Sequence, residues 1–138
     1  MSVAIIQART SSKRFPNKVL TKINNKPILT FVYERVKKAK KIKKIIIALS
    51  NNKSDTKLLN LCKKKKYKIF QGSLNNVLER YSKTAKKFKL KSFVRVNGDS
   101  PCIDPKLIDR AVKIFRNKNC DIVTNIFPRT FPKGVSVE

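Results

Sequence analysis

Histidine and tryptophan are absent from this 138-residue chain, glycine occurs three times, and only eight carboxylates stand against 34 lysines and arginines. Without histidine, the side chain that ordinarily exchanges protons near neutral pH is missing. The eight acids can therefore be weighed one by one. Cys62, Cys102 and Cys120 are odd in number, widely spaced and unaccompanied by histidine. That pattern excludes a disulfide framework and a zinc site and leaves three reduced thiols. No apolar stretch approaches the roughly 20 residues that cross a bilayer. Met1-Ser2 runs straight into an apolar segment with no basic leader or small-residue cleavage site. No secretory signal is visible, and the expected location is cytoplasmic.

Hydrophobic residues make up 41% of the chain and arrive in compact runs, which excludes disorder. The length is that of one domain or part of one. A formal charge of +26 would ordinarily point to nucleic acid. Lysine, however, far outnumbers arginine, asparagine and isoleucine are abundant, and alanine and glycine are scarce, as an AT-rich genome would impose on any protein. The lysines at 37, 38, 40, 41, 43 and 44, and those at 63–66, fall near expected helix ends. Helix carboxyl ends favour cations. Nucleic acid is accordingly not expected as the main partner, although the charge should attract anionic ligands and speed their encounter.

Strand-like and helix-like segments alternate. Val3 to Ile6 reads as a buried strand, and Pro27 opens a helix whose apolar stripe is Ile28, Val32, Val36 and Ala39. Ile45 to Leu49 is continuously apolar, as in a parallel sheet covered on both faces. Ser54 is placed to cap a helix carrying Leu58, Leu59, Leu61 and Cys62. Tyr67 to Phe70 is a third strand, and Asn76 with Glu79 forms a capping box for a helix with Val77, Leu78, Tyr81, Ala85 and Phe88. Phe93 to Val96 is a fourth strand, Asp104 before Pro105 caps a further helix, and Asp121 to Thr124 reads as a fifth strand. Val135 to Glu138 looks like the start of another strand, so the chain is expected to stop within a domain. The fold class is α/β, a Rossmann-like, mostly parallel sheet flanked by helices.

Two segments carry chemistry. Gln7-Ala8-Arg9-Thr10-Ser11-Ser12-Lys13-Arg14-Phe15-Pro16-Asn17-Lys18 places cations among hydroxyls behind the first strand, where α/β sheets bind phosphates. Guanidinium forks and a mobile ammonium suit a polyphosphate; a merely solvated basic loop would have the same composition. Asp99, between Gly98 and Pro101 at the end of the fourth strand, can begin a Mg²⁺ site, since magnesium needs only one or two carboxylates beside water and phosphate oxygens. The alternative is a turn aspartate bonding its own backbone. A third segment, from Gln71 to Asn76, has amides and carboxamides that could meet a nucleobase, and a capping loop would look the same.

These segments together resemble the cytidylyltransferase family that includes the spore coat polysaccharide biosynthesis protein F group. Acylneuraminate and 3-deoxy-manno-octulosonate cytidylyltransferases are more distant relatives. The matching stretches are residues 6–9 with 12–20, Gly72-Ser73 with 77–81, residues 94–105, and residues 125–138 around Pro128 to Gly134, in family order. The resemblance implies a GT-A-type fold over residues 1–138 as the amino-terminal part of a nucleotidyltransferase domain. It implies transfer of CMP from CTP to a sugar, an acidic one, with release of pyrophosphate, in surface polysaccharide or glycoconjugate synthesis. Arg9, Arg14 and Lys18 would hold the triphosphate, and Asp99 would bind Mg²⁺. Ala8, Ser12, Gly72, Ser73, Asn76, Arg80 and Gly98 would join Arg9 and Lys18 around the nucleotide, with Arg129 and Glu138 near the sugar. Lys13 is not required by the family pattern. Ser11 and Asn17 stand where the family often has glycine, and asparagine tolerates the left-handed backbone. Relatives commonly pair as homodimers. Two other readings compete: a non-catalytic nucleotide-binding or partner-docking half of a split enzyme, and a lysine-rich nucleic-acid binder.

Overall fold

The computed structural model describes residues 2–12, 14–129 and 131–138. Met1, Lys13 and Thr130 lie outside the described residues. In chain order the elements are β1 (Ser2–Gln7), β2 (Lys22–Ile23), β3 (Lys26–Pro27), α1 (Ile28–Lys37), β4 (Ile42–Ser50), α2 (Thr56–Lys64), β5 (Lys68–Gly72), α3 (Val77–Lys87), β6 (Val94–Asn97) and α4 (Pro105–Asn117). Four strands form one parallel sheet in the order β5-β4-β1-β6. Its central strand is the apolar run that begins the chain, which must hide both faces.

Alternation along β1 divides its side chains between two layers. Ala4 and Ile6 join Ile45, Ile47 and Leu49 of β4 and Val94 and Val96 of β6 beneath α1, α2 and α4, which contribute Leu29, Val32, Val36, Leu58, Cys62, Ile108 and Val112. Ile5 faces the other way and packs with Ala48 against Tyr81 of α3. Helix α4 is tied to the turn before β4 by Asp109, whose carboxylate accepts from the amides of Lys40 (2.9 Å) and Lys41 (2.7 Å). The last turns of the helices carry cations, Arg35 and Lys37, Lys63 and Lys64, Lys86 and Lys87, and Arg116, opposite the partial negative charge of free carbonyls.

Two expected N-caps form: Asn76 accepts from the Glu79 amide at 2.9 Å and Asp104 from the Lys106 amide at 2.9 Å. The return half of the expected capping box does not form, because the Asn76 amide donates to Ser73 and Glu79 pairs with Lys83. Ser54 does not cap. Asn52 accepts from the Ser54 amide at 2.9 Å and starts a single 3-10 turn, Lys53–Asp55, ahead of α2. Pro27 sits one position earlier than expected, at the N-cap of α1, because it first closes a two-stranded ribbon with β2. The ribbon turns on Asn24 and Asn25, both left-handed at φ 47° and 61°, as a two-residue hairpin requires.

The fifth strand expected at Asp121 to Thr124 is not present. The free edge of β6 is met instead by the last residues: the Arg95 amide donates to the Glu138 carbonyl at 2.7 Å. The Asn125 side chain donates to the Val135 carbonyl and accepts from the Val137 amide, both at 2.9 Å. Val137 is buried in the main core. Residues 121–124 therefore have no strand to pair with, and Ile122 is 65% exposed.

Candidate active site

The chain leaves β1 for β4 on one side, while β6 joins β1 on the other, so the strand order reverses between β1 and β6. Ligands of open α/β sheets bind at such a reversal, outside the carboxyl ends of the strands. Gln7 and Asn97 are the last paired residues of the two strands there. Beyond them the Gly98 amide donates to the Gln7 carbonyl at 2.8 Å. A Cβ on Gly98 would lie 2.8 Å from that oxygen and 2.9 Å from the Ala8 Cβ. Glycine is required there by strand packing, and it delivers Asp99 to the rim.

The segment from Ala8 to Lys18 arches over the same corner. Its fixed point is Thr10, 3% exposed. The Thr10 carbonyl accepts from the amides of Ser12 and Asn17, both at 2.9 Å, which closes the arch on itself. Asn17 takes the left-handed conformation, φ 59°, and begins the one-turn helix Lys18–Leu20, where Val19 anchors in the core. The turn brings the Lys18 ammonium into contact with the Asp99 carboxylate, both side chains about one-third exposed. Arg9, Arg14 and Lys18 line one cleft of about 750 Å³ with Ala8, Ser12 and Asp99, and Gln7 and Asn97 form its floor. Of the site residues named from the sequence, six meet in this cleft. Gln7 opens the basic segment read from the sequence, and Leu74 and Asn75, which line the cleft from the loop after β5, belong to the Gln71–Asn76 segment read as a possible nucleobase contact. Asn97, at the end of β6, was not named as a site residue.

Gly98 lies at the corner of this cleft, whereas Gly72, Ser73, Asn76, Arg80, Arg129 and Glu138 do not line it. Ser73 accepts from the Asn76 amide at 3.1 Å, so Ser73 and Asn76 are engaged in starting α3. A Cβ on Gly72 would lie 3.2 Å from the Arg80 Cγ; this glycine makes room for the arginine stem. Arg80 is fully buried, and its three guanidinium nitrogens have no hydrogen-bond partner among the described residues. Burial pushes its pKa down, and the charge of Arg9 pushes the same way. Arg129 is exposed in the loop after residue 124, and Glu138 pairs with Arg95 at 2.6 Å. The structure does not bring either to the cleft. Among the described residues no group of three potential ligands surrounds Asp99, and no helix is long and apolar enough to cross a membrane.

The reversal point of this open parallel sheet carries three cations beside one carboxylate, groups whose chemistry suits a polyphosphate. Comparison with known proteins narrows the class. Residues 3–133 match the family model described as cytidylyltransferase, and the chain belongs to that family. It is 39% identical over 88% of its length to an uncharacterized protein of Methanocaldococcus jannaschii, of which it covers 50%. It is 32% identical over 85% of its length to the spore coat polysaccharide biosynthesis protein SpsF of Bacillus subtilis, again covering 50% of that protein. The structure of a cytidylyltransferase from Leptospira borgpetersenii superposes with a TM-score of 0.90 at 35% identity, over 99% of this chain and 59% of that one. The chain thus spans about half the length of the curated relatives it matches.

Proposed function

We propose that the cleft between β1 and β6 binds the triphosphate of CTP and that the protein takes part in transferring CMP to a sugar, an acidic one in keeping with the cationic surround. The observation that carries this reading is the convergence of Arg9, Arg14 and Lys18 on one cleft together with Asp99. In the reaction a sugar hydroxyl oxygen attacks the α-phosphorus. The new O–P bond forms as the bond to the β-phosphate oxygen breaks, pyrophosphate departs, and the hydroxyl proton passes to solvent. Arg9 and Arg14 grip phosphate oxygens and stabilise charge on the departing pyrophosphate, where such cations are worth the most. Lys18, in contact with Asp99, has the reach of a flexible ammonium to follow the phosphate.

Asp99 suits Mg²⁺: its carboxylate projects partly exposed into the cleft and is held by one displaceable ammonium. One carboxylate is enough when the ion also takes water and phosphate oxygens. The ion would neutralise charge on the phosphates when bound. Gln7, Asn97 and the loop at Leu74 and Asn75 supply the surface beside the triphosphate where the nucleoside would lie. The name of the Bacillus subtilis relative, a spore coat polysaccharide biosynthesis protein, supports a role in surface polysaccharide synthesis.

The test is thermal stability with Mg²⁺ and CTP, ATP or GTP, followed by pyrophosphate release in the presence of acidic sugars. A larger shift with CTP than with the purine nucleotides is expected, together with pyrophosphate release. CTP binding without release would favour the nucleotide-binding half of a split enzyme, and no nucleotide response at all would refute the reading.

A further inference from the structure

Asp55, one residue before α2, is 1% exposed and takes no part in the cleft. Its carboxylate is filled on all sides. Oδ1 accepts from the Thr10 amide at 2.7 Å and lies 2.6 Å from the Thr10 hydroxyl, which also has the Ser54 carbonyl at 2.9 Å. Oδ2 accepts from the Ser50 amide at 3.2 Å and from the Ser50 hydroxyl in a short contact. Four donors occupy the roughly four lone-pair sites of an ionised carboxylate. One arm thus holds the end of β4 and the other holds Thr10, the residue on which the cationic arch closes. Arg9 precedes Thr10 directly, and the Thr10 carbonyl fixes the far end of the arch through Asn17.

We propose that Asp55 is a positioning residue for the anion cradle: by clamping Thr10 to the end of β4 it sets where Arg9 and the arch up to Lys18 stand before the ligand arrives. The inference rests on the polyphosphate reading of the cleft. A saturated carboxylate cannot be replaced by its amide without conflict. An asparagine offers one oxygen and one NH₂ group, so whichever way it turns, a donor meets either the Thr10 or the Ser50 amide. Pre-placed donors matter because a loop that must order on binding spends part of the interaction on that ordering.

The experiment compares CTP and inorganic tripolyphosphate affinity by calorimetry for the wild type, Asp55→Asn, Thr10→Val and Ser50→Ala. Measurements are made well below each variant's melting temperature, with unfolding curves recorded in parallel. Asp55→Asn and Thr10→Val are expected to weaken both ligands at least 10-fold while unfolding cooperatively. Ser50→Ala, which removes the hydroxyl contact of the β4 arm and keeps its amide contact and both Thr10 contacts, should weaken both ligands less than Asp55→Asn does. A merely structural role would lower the melting temperature and leave the affinity of the folded protein unchanged, so folded Asp55→Asn binding within twofold of wild type overturns the proposal. If Asp55→Asn does not fold, Thr10→Val decides by the same threshold. A wild type that binds neither ligand overturns the polyphosphate reading itself, a result distinct from equal binding by wild type and variant.

Discussion

Gly98→Ala adds one methyl group at the tightest point between β1 and β6, and its consequences can be worked through. The new Cβ would stand 2.8 Å from the Gln7 carbonyl, 2.9 Å from the Ala8 Cβ and 3.3 Å from the Leu29 Cδ1. Two of the three obstacles belong to the backbone and first side-chain atom of β1's end, so no rotamer change relieves them. Overpacking of this kind costs about 1–3 kcal/mol. Separating the strand ends also breaks the 2.8 Å bond from the Gly98 amide to Gln7, worth about 1 kcal/mol. A loss of about 2–4 kcal/mol is a large part of a small domain's stability. Urea unfolding should show it as a lower midpoint at an unchanged slope. CTP affinity should fall with it, because Gln7 and Ala8 belong to the cleft. Gly134→Ala is the contrasting variant: its φ of +94° makes alanine strained, yet no atom lies within 4 Å of the added Cβ. Its loss should be about 1–2 kcal/mol, with CTP binding untouched. Gly98→Ala within about 0.5 kcal/mol of wild type, a margin ordinary surface substitutions stay within, would refute the close-approach reasoning.

Asp99→Asn should abolish the Mg²⁺-dependent part of the CTP thermal shift while changing ligand-free stability by less than about 1 kcal/mol, since the Lys18 pair is partly exposed; a preserved Mg²⁺ dependence would contradict it. Burial pushes the Cys62 thiol from 9.0 up to about 12, so the folded chain keeps a proton that the unfolded chain gives up. Its contribution to stability is full below pH 9 and lost as pH rises towards 12, at about 1.4 kcal/mol per pH unit. Urea unfolding at pH 8 and pH 10 should show wild type losing on the order of 1 kcal/mol more than Cys62→Ala over that interval, and parallel losses would refute the burial effect. Arg80→Met should leave the ligand-free melting temperature equal or higher, because methionine can occupy the space beside Gly72 without burying an unpartnered cation; a loss above about 2 kcal/mol in urea unfolding would show that the guanidinium has a partner in solution.

The parts of this fold that were legible in the sequence are those whose signal is local. The apolar runs around Ile5 and Ile47 became the two central strands because a continuously apolar segment can be satisfied only by cover on both faces. Asn76 and Asp104 became caps because a cap and its amide partner lie two or three residues apart. The pairing of residues 121–124 was illegible, since strand-like composition does not say whether a partner edge is free, and here the edge of β6 is met by Glu138.

The site divides along the same line. Arg9, Arg14 and Lys18 were visible together because they lie within ten residues of one another, whereas Gly72 and Arg80, which the same pattern gathers around the nucleotide, meet each other under the end of β5. Asp55 gave no sign of itself. In sequence it is an ordinary acid at a helix start, next to the serine that reads as the cap, and its principal partner is 45 residues away. What a cation cradle is made of can therefore be read from a short stretch of chain, but what holds it still is a contact between two such stretches. In this protein that contact is a single carboxylate with every lone pair in use. Removing it should leave the list of cations intact and the cradle out of place.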